Sequence, residues 1–280
     1  MARGVRCDAR MNLKALLLSL LVAAPALAAP GDSKNFGEKD WSAVNAMTAL
    51  GDKIYVASAV DLWEVDKRGN GKALKVTGAP GWGRTAQVTS LGGKLYAINE
   101  EVLYEIDPSG KARNLGNEWF SVPGMTALNG KLYIVADEGL YEVEPSTGKY
   151  VKLSDDWYNV DGITALGGKL YIIMRDKLHE VDTLGQRKEL GEAYNTPLAL
   201  VTAGGNLYAF AYERRDNSGG GVINASALYE IDESTGARKR IAMPKGWSDG
   251  TGVNAMAVLD DKLYLAMPGM SRTSFFSLDL

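Results

Sequence analysis

The sequence of 280 residues predicts an all-β fold, a six-bladed β-propeller of four-stranded antiparallel blades. The first observation is a unit of about 40 residues that recurs six times. One tyrosine marks the same position in every copy: Tyr55, Tyr96, Tyr133, Tyr171, Tyr208 and Tyr264. The second is that apolar residues alternate with polar or small ones, the period of strands, between turn pairs such as Asn129-Gly130. A unit this short cannot bury its own apolar faces, so six copies predict a closed ring.

The first 28 residues predict a secretory signal sequence with an upstream extension. Lys14 precedes an apolar core at 15–22, which is too short to span a bilayer, and residues 26–28 (Ala-Leu-Ala) form a small-x-small cleavage site. Met11 is therefore the expected start, and we expect the mature protein to be periplasmic or secreted. Cys7 is the only cysteine and precedes this segment, so the mature chain is expected to contain no disulfide.

Residues 33–280 are predicted to form a single propeller closed by their own N-terminal segment. The chain stops at Leu280, after the third strand of copy six. Residues 33–41 closely match residues 112–119, which are the predicted outer strand of copy two and its exit. We therefore expect the N-terminal segment to supply the outer strand of the last blade and to join the two ends of the ring.

An aromatic residue precedes each copy in the connection between blades. These residues are Trp41, Trp82, Trp119, Trp157, Tyr194 and Trp247. Such rings could stack on sugars, but repetition in every copy favours packing between neighbouring blades. His179 is the only histidine and occupies a position held by tyrosine or tryptophan in other copies. A lone imidazole without cysteine cannot build the usual zinc set, and its place within a strand disfavours a catalytic triad.

The starts of the inner strands form a column that should open toward the central channel. Its members are Asn45, Ala86, Pro123, Asp161, Leu198 and Asn254. Calcium binds oxygen ligands, so Asn45, Asp161 and Asn254 predict the alternative of a calcium site at the channel mouth. Calcium takes six to eight oxygens, and the other three positions offer no acid. The leading prediction therefore includes no cofactor.

The notable changes in repeat length fall in blades five and six, and always on the same face of the ring. The predicted loops are residues 213–226 and 267–274, together with the longer connection at 247–252. Loops on a rigid scaffold commonly carry binding groups. The predicted ligand-binding patch consists of Arg214, Arg215, Asp216, Asn217, Asn224, Asp249 and Arg272. A tolerated insertion is the alternative, since residues 219–221 are all glycine.

The charge of the chain disfavours nucleic acid and anionic membranes as partners. The formal net charge is −3, and removal of the signal makes it more negative. In five of the six copies a lysine lies beside the first hairpin turn, as at Lys53 and Lys94, and is expected to be solvated. We expect a monomer without a transmembrane segment in the mature chain.

The repeated unit resembles those of known propellers. The pattern W…MTALxGKLY…LYEVDPSTGK is similar to tectonin and tachylectin-2-like repeats of secreted proteins, with a looser similarity to Kelch repeats, and covers residues 33–280. The resemblance implies a propeller fold and raises the expectation of carbohydrate binding. The combined prediction is an exported, non-enzymatic module that binds a glycan or an envelope or extracellular protein. The alternative is a propeller hydrolase or lactonase with calcium in the channel.

Overall fold

The computed structural model describes residues 33–39, 41, 43–79, 82, 85–191, 197–216, 222–241, 252–268 and 273–280. The predicted signal sequence at 1–28 and the start at Met11 lie outside these residues. Within them, 24 strands form six four-stranded antiparallel sheets, which confirms the predicted all-β, six-bladed propeller.

The blades follow the chain in order, and blades one to five are each built from four consecutive strands. Blade one contains β2 (Ala46–Leu50), β3 (Lys53–Ala57), β4 (Leu62–Val65) and β5 (Gly71–Ala73). Blade two contains β6 (Thr85–Leu91), β7 (Lys94–Asn99), β8 (Val102–Ile106) and β9 (Ala112–Asn117). Blade three contains β10 (Gly124–Leu128), β11 (Lys131–Ala136), β12 (Gly139–Val143) and β13 (Tyr150–Ser154).

The second half of the ring repeats this order. Blade four contains β14 (Val160–Leu166), β15 (Lys169–Met174), β16 (Lys177–Val181) and β17 (Arg187–Leu190). Blade five contains β18 (Pro197–Ala203), β19 (Asn206–Asp216), β20 (Val222–Ile231) and β21 (Arg238–Ile241). Blade six contains β22 (Ala255–Leu259), β23 (Lys262–Pro268), β24 (Thr273–Asp279) and, as its outer strand, β1 (Ser33–Lys39).

The ring is closed by the N-terminal segment, as the sequence predicts. Strand β1 pairs antiparallel with β24, from Ser33 opposite Leu278 to Lys39 opposite Thr273. The Thr273 hydroxyl also donates a hydrogen bond of 3.1 Å to the carbonyl of Trp41. The first and last segments of the propeller thus share one sheet.

The hydrophobic core lies between blades. Six clusters of buried side chains are found among the described residues, and each joins two adjacent blades. Val56 of blade one, for example, belongs to the same cluster as Tyr264 and Phe275 of blade six. Because each blade depends on both neighbours for burial, the hydrophobic effect favours the closed ring over separate sheets.

The two faces of the ring differ in their loops. We call the face formed by the second hairpin turn of each blade and by the connections between blades the upper face. The lower face carries the first and third turns. Beside the first turns, lysines pair with acids of their own blade, at 2.5 Å for Lys53 and Glu64 and 2.9 Å for Lys94 and Glu105. The lysines are partly solvated, as the sequence predicts, whereas Glu64 and Glu105 are each only 9% exposed, so the acid of each pair is buried.

Candidate functional site

The connection aromatics pack between and within blades. Trp41, Trp119 and Trp157 are at most 5% exposed. Trp119 meets Tyr141 edge to face, with ring centroids 5.6 Å apart, and its backbone N–H donates to the carbonyl of Glu101 in the preceding blade at 3.0 Å. The geometry supports the structural role that the repetition indicates. Tyr194 and Trp247 lie outside the described residues.

The upper end of the central channel is a small polar cavity. It has a volume of about 180 Å³, and its lining includes Asn45, Gln87, Pro123, Asp161 and Asn254. The structure therefore brings the three predicted calcium ligands, which come from blades one, four and six, around a single cavity.

Two members of the predicted column are displaced by backbone irregularities. Gln87 lines the cavity where Ala86 was expected, and Ala199 and Leu200 do so where Leu198 was expected. The ladders between inner and second strands shift register at these places, between Thr85 and Gln87 in blade two. A β-bulge adds one residue, so the channel can be lined by the column residue itself, as at Asp161 in blade four, or by the next residue, as at Gln87 in blade two. A simple count along the strand does not show which of the two it is.

The side-chain amides in the channel wall form hydrogen bonds between adjacent blades. The Asn45 amide Nδ2 donates to the carbonyl of Thr85 in blade two at 2.9 Å. The Gln87 amide Nε2 in turn donates to the carbonyl of Pro123 in blade three at 3.0 Å. The sequence did not predict Gln87 as a residue of the channel lining, although its polar side chain next to the predicted start of the inner strand could have indicated it. These bonds give both amides a structural role at the axis.

Asp161 is the carboxylate of the channel cavity. It is the extra residue of a bulge in β14, between the pairs Val160–Met174 and Gly162–Ile173. Desolvation by the channel wall, with a smaller contribution from the negative charge of Asp176, raises its pKa to about 6. The side chain is solvent-accessible within the channel, yet the surrounding protein leaves it less hydrated than a surface carboxylate.

These side chains offer too few oxygen ligands to form a calcium site by themselves. The three predicted ligands supply one carboxylate and two amide oxygens, whereas calcium takes six to eight oxygens. Among the described residues, no group of three histidine, cysteine, aspartate or glutamate side chains is placed to hold a metal. The fit to calcium is therefore partial.

The predicted insertion of blade five is a long β-hairpin and not a loop. In blade four the second and third strands pair as far as Met174 opposite Lys177. The equivalent pair in blade five is Ala211 opposite Ala227, and the ladder continues to Asp216 opposite Val222. The prediction of a loop over residues 213–226 is wrong at both ends, because the backbone ladder continues through the polar residues. The two adjacent β-branched residues at 222–223 could have indicated a strand in this part of the sequence.

The hairpin brings part of the predicted patch into one ladder. Arg214 lies opposite Asn224, Arg215 opposite Ile223 and Asp216 opposite Val222. The hairpin of blade six is extended less, to Pro268 opposite Thr273, which corrects the other predicted loop at 267–274. Asn217, Asp249 and Arg272 lie outside the described residues.

Comparison with known proteins establishes the fold. No protein-family model and no curated protein matches the chain. Similar solved structures include virginiamycin B lyase from Staphylococcus aureus (15% identity, 84% of this chain and 80% of that one, TM-score 0.57). A chain of a nidogen/laminin complex is also similar (13% identity, 74% and 82% coverage, TM-score 0.59). So is an extracellular domain of a Bacteroides thetaiotaomicron protein (11% identity, 86% and 40% coverage, TM-score 0.53).

The names of these three neighbours describe an enzyme, a protein complex and an extracellular domain. At such low identity, they share the propeller architecture with this chain and nothing more specific. The part of the chain that the structure describes contains no helix that is long and apolar enough to cross a bilayer. The chain is thus a six-bladed β-propeller.

Proposed function

We propose that the chain is an exported, non-enzymatic binding module that recognises a glycan or protein ligand on its upper face, through the extended hairpins of blades five and six. The observation that carries this proposal is the continuous ladder of β19 and β20. The ladder of blade five has five more residue pairs than that of blade four, from Tyr212 opposite Ser226 to Asp216 opposite Val222. At 3.4 Å per residue, the hairpin extends about 17 Å further.

The chemistry of this arm suits recognition. Its strands carry Arg214, Arg215 and Asp216 on one side of the turn and Asn224 on the other. Guanidinium groups bind carboxylates and other planar acceptors in a bidentate manner, and asparagine both donates and accepts hydrogen bonds. A two-stranded arm that projects from a rigid ring is also a segment that a large partner can reach.

The histidine of the chain supports a role other than catalysis. His179 lies on β16 and is 5% exposed, and neither ring nitrogen has a hydrogen-bond partner in the described structure. A general base needs a partner that orients it and a substrate proton within hydrogen-bond reach. The predicted signal sequence supports export, and the similarity to an extracellular domain agrees with it.

The test compares the mature protein with a variant whose arm is shortened. Residues 212–226 are replaced by the two-residue Arg-Asp turn of blade four, which retains the pair Ala211–Ala227. Both proteins are applied to a glycan array and to an envelope extract. We expect ligands of the mature protein to be lost in the shortened variant while its melting temperature stays unchanged.

A matched control changes charge on another blade. Lys188→Ala lies on β17 at an exposed position and should bind the ligand like the mature protein. No ligand in either assay, or equal binding by the shortened variant, would overturn the proposal.

The rival function is a hydrolase or lactonase with calcium in the channel. The observation that favours it is the convergence of Asn45, Asp161 and Asn254 on one cavity, with Asp161 in a bulge. Calcium titration by calorimetry distinguishes the two proposals. Stoichiometric binding that is lost in Asp161→Ala would favour the enzyme, since removal of the one carboxylate should abolish a site so poor in ligands.

A further inference from the structure

Blade four departs from the repeat in chemistry, although its strands have ordinary lengths. Its third strand carries His179 where blades two, three and five carry Tyr104, Tyr141 and Tyr229. Its second turn begins with Arg175, where blades two and three have acids at the equivalent position. Its outer strand begins with Arg187, where blade three has Tyr150.

These substitutions meet at one cavity of about 500 Å³. It is lined by Met174, Arg175, Lys177, His179, Arg187 and Glu189. The register explains the convergence, because His179 lies opposite Ile172 on one side and opposite Glu189 on the other. Three cationic side chains and a single carboxylate thus surround one imidazole in a chain whose net charge is negative.

His179 is buried without a hydrogen-bond partner in the described structure. It is 5% exposed, and both Nδ1 and Nε2 are buried and unbonded. Its ring meets Trp157 edge to face at 6.1 Å between centroids, so the packing fixes the ring without satisfying its nitrogens. An imidazole always has at least one N–H to donate, and a buried polar group without a partner is unfavourable.

The neighbouring cations are held in place around it. The Arg187 guanidinium lies over the Trp157 ring at 5.3 Å and donates to the carbonyl of Asp156 at 3.1 Å. Arg175 lies over the ring of Tyr158, also at 5.3 Å. Lys177 is paired with Glu189 at 2.5 Å, which neutralises the one acid among the lining residues. The remaining positive charge comes from the two arginines.

We propose that this cavity is a binding site for an oxyanion, such as a phosphate, sulfate or carboxylate group, whose oxygens accept a hydrogen bond from His179 and face Arg175 and Arg187. The arginines supply the charge, and the ligand supplies the acceptor that the imidazole lacks. The site lies on blade four and is independent of the arm on blade five, so either proposal can fail alone.

Binding should couple to protonation of His179. In the free protein, desolvation and then the charges of Arg187 and Lys177 lower its pKa, while Glu189 opposes them. From the preceding segment, Asp155 is engaged by Lys152, and the carboxylate of Asp156 accepts from Tyr158. A bound anion favours the imidazolium, which donates from both nitrogens, so affinity should rise as the pH falls.

The experiment follows the ring protons of His179 by NMR in the mature protein without an affinity tag. Since the chain has a single histidine, its imidazole signals need no assignment. Inorganic phosphate, sulfate and glucuronate are titrated at constant ionic strength, at pH 6 and pH 8. We expect saturable shifts, an affinity several-fold higher at pH 6, and a rise in the His179 pKa on saturation. The three anions distinguish phosphate, sulfate and sugar carboxylate as the group that is recognised.

Two variants make the result decisive. His179→Tyr restores the residue of blades two, three and five, so it should fold with an unchanged melting temperature and lose saturable binding by calorimetry. Arg187→Gln keeps the reporter histidine and should weaken binding at least ten-fold, whereas Lys188→Ala on the same strand should bind normally. Shifts that do not saturate, or His179→Tyr binding as tightly as the wild type, would overturn the proposal.

Discussion

At the scale of single residues, the channel carboxylate and the connection aromatics show how position decides the role of a side chain. Asp161 is an ordinary aspartate in sequence, but the bulge of β14 places it in the channel wall, where desolvation raises its pKa to about 6. Trp119 is one member of a repeated column, and burial between blades makes it part of the core. Substitution of either residue should therefore change the free energy of unfolding by a measurable amount.

Asp161→Asn should stabilise the protein at neutral pH. A carboxyl group with a raised folded-state pKa favours folding while it is protonated, and this advantage is lost as pH rises from the unfolded pKa, about 4, through about 6. Because solvent reaches the side chain, we expect a gain of at most about 1 kcal/mol at pH 7.5. Urea unfolding of both proteins at pH 7.5 and pH 3.5 measures it. Equal differences at the two pH values would contradict the prediction.

Trp119→Ala should destabilise the ring by about 3–5 kcal/mol, the usual range for a buried aromatic residue. Trp119 is 5% exposed and packs against Tyr141 and Tyr150. The matched control is Leu184→Ala, since Leu184 is 71% exposed and should unfold at the same denaturant concentration as the wild type. A loss below 1 kcal/mol for Trp119→Ala would contradict its place in the core.

At the scale of elements, the turns on the lower face differ in how closely they approach the neighbouring blade. Gly130 in the first turn of blade three has φ +78° and open space where a Cβ would lie. Gly148 in the third turn has a similar φ of +73°, but a Cβ there would lie 1.8 Å from the carbonyl oxygen of Leu115 in blade two. The two glycines therefore separate backbone strain from contact between blades.

Gly148→Ala should cost much more stability than Gly130→Ala. The left-handed backbone alone costs about 1 kcal/mol for alanine, which is the expectation for Gly130→Ala. At Gly148 the clash with backbone adds a cost of about 2 kcal/mol or more, because blade two must move away. Chemical denaturation of both variants measures the difference. Equal losses would mean that the third turn does not contact blade two as described.

At the scale of the whole molecule, one strand joins the two ends of the propeller. Phe36 of β1 lies 5.4 Å from the ring of Phe275 and 6.2 Å from that of Tyr264, between blades six and one. Without β1, the edge of β24 would expose unpaired backbone groups, a template for association. Stability and solubility of the ring should therefore both depend on this segment.

Phe36→Ala should lower the free energy of unfolding by about 2–3 kcal/mol, less than for a fully buried phenylalanine, since Phe36 is partly exposed. Glu38→Ala, at an exposed position of the same strand, should leave stability within 0.5 kcal/mol, roughly the usual range for surface changes. Denaturation followed by tryptophan fluorescence measures both. A chain that begins at residue 41 should also aggregate on heating where a chain that begins at residue 33 does not.

The sequence alone determined the number of blades, the strands within each and the closure of the ring by residues 33–41. This was possible because strand period, turn chemistry and self-similarity are local properties, repeated six times along the chain. It also indicated that Asn45, Asp161 and Asn254 share the channel, since equivalent positions in a ring face the same axis.

Only the tertiary structure decided how individual side chains are used. Bulges replaced Ala86 by Gln87 in the channel lining, and the predicted loop at 213–226 became a hairpin, because the cross-strand ladder determines both features. From the sequence, His179 was interpreted as a substitute for tyrosine. In the structure, the register places it beside Glu189, and packing brings Arg175 and Arg187 to the same cavity. The environment of a group depends on neighbours distant in sequence, and folding is what brings them together.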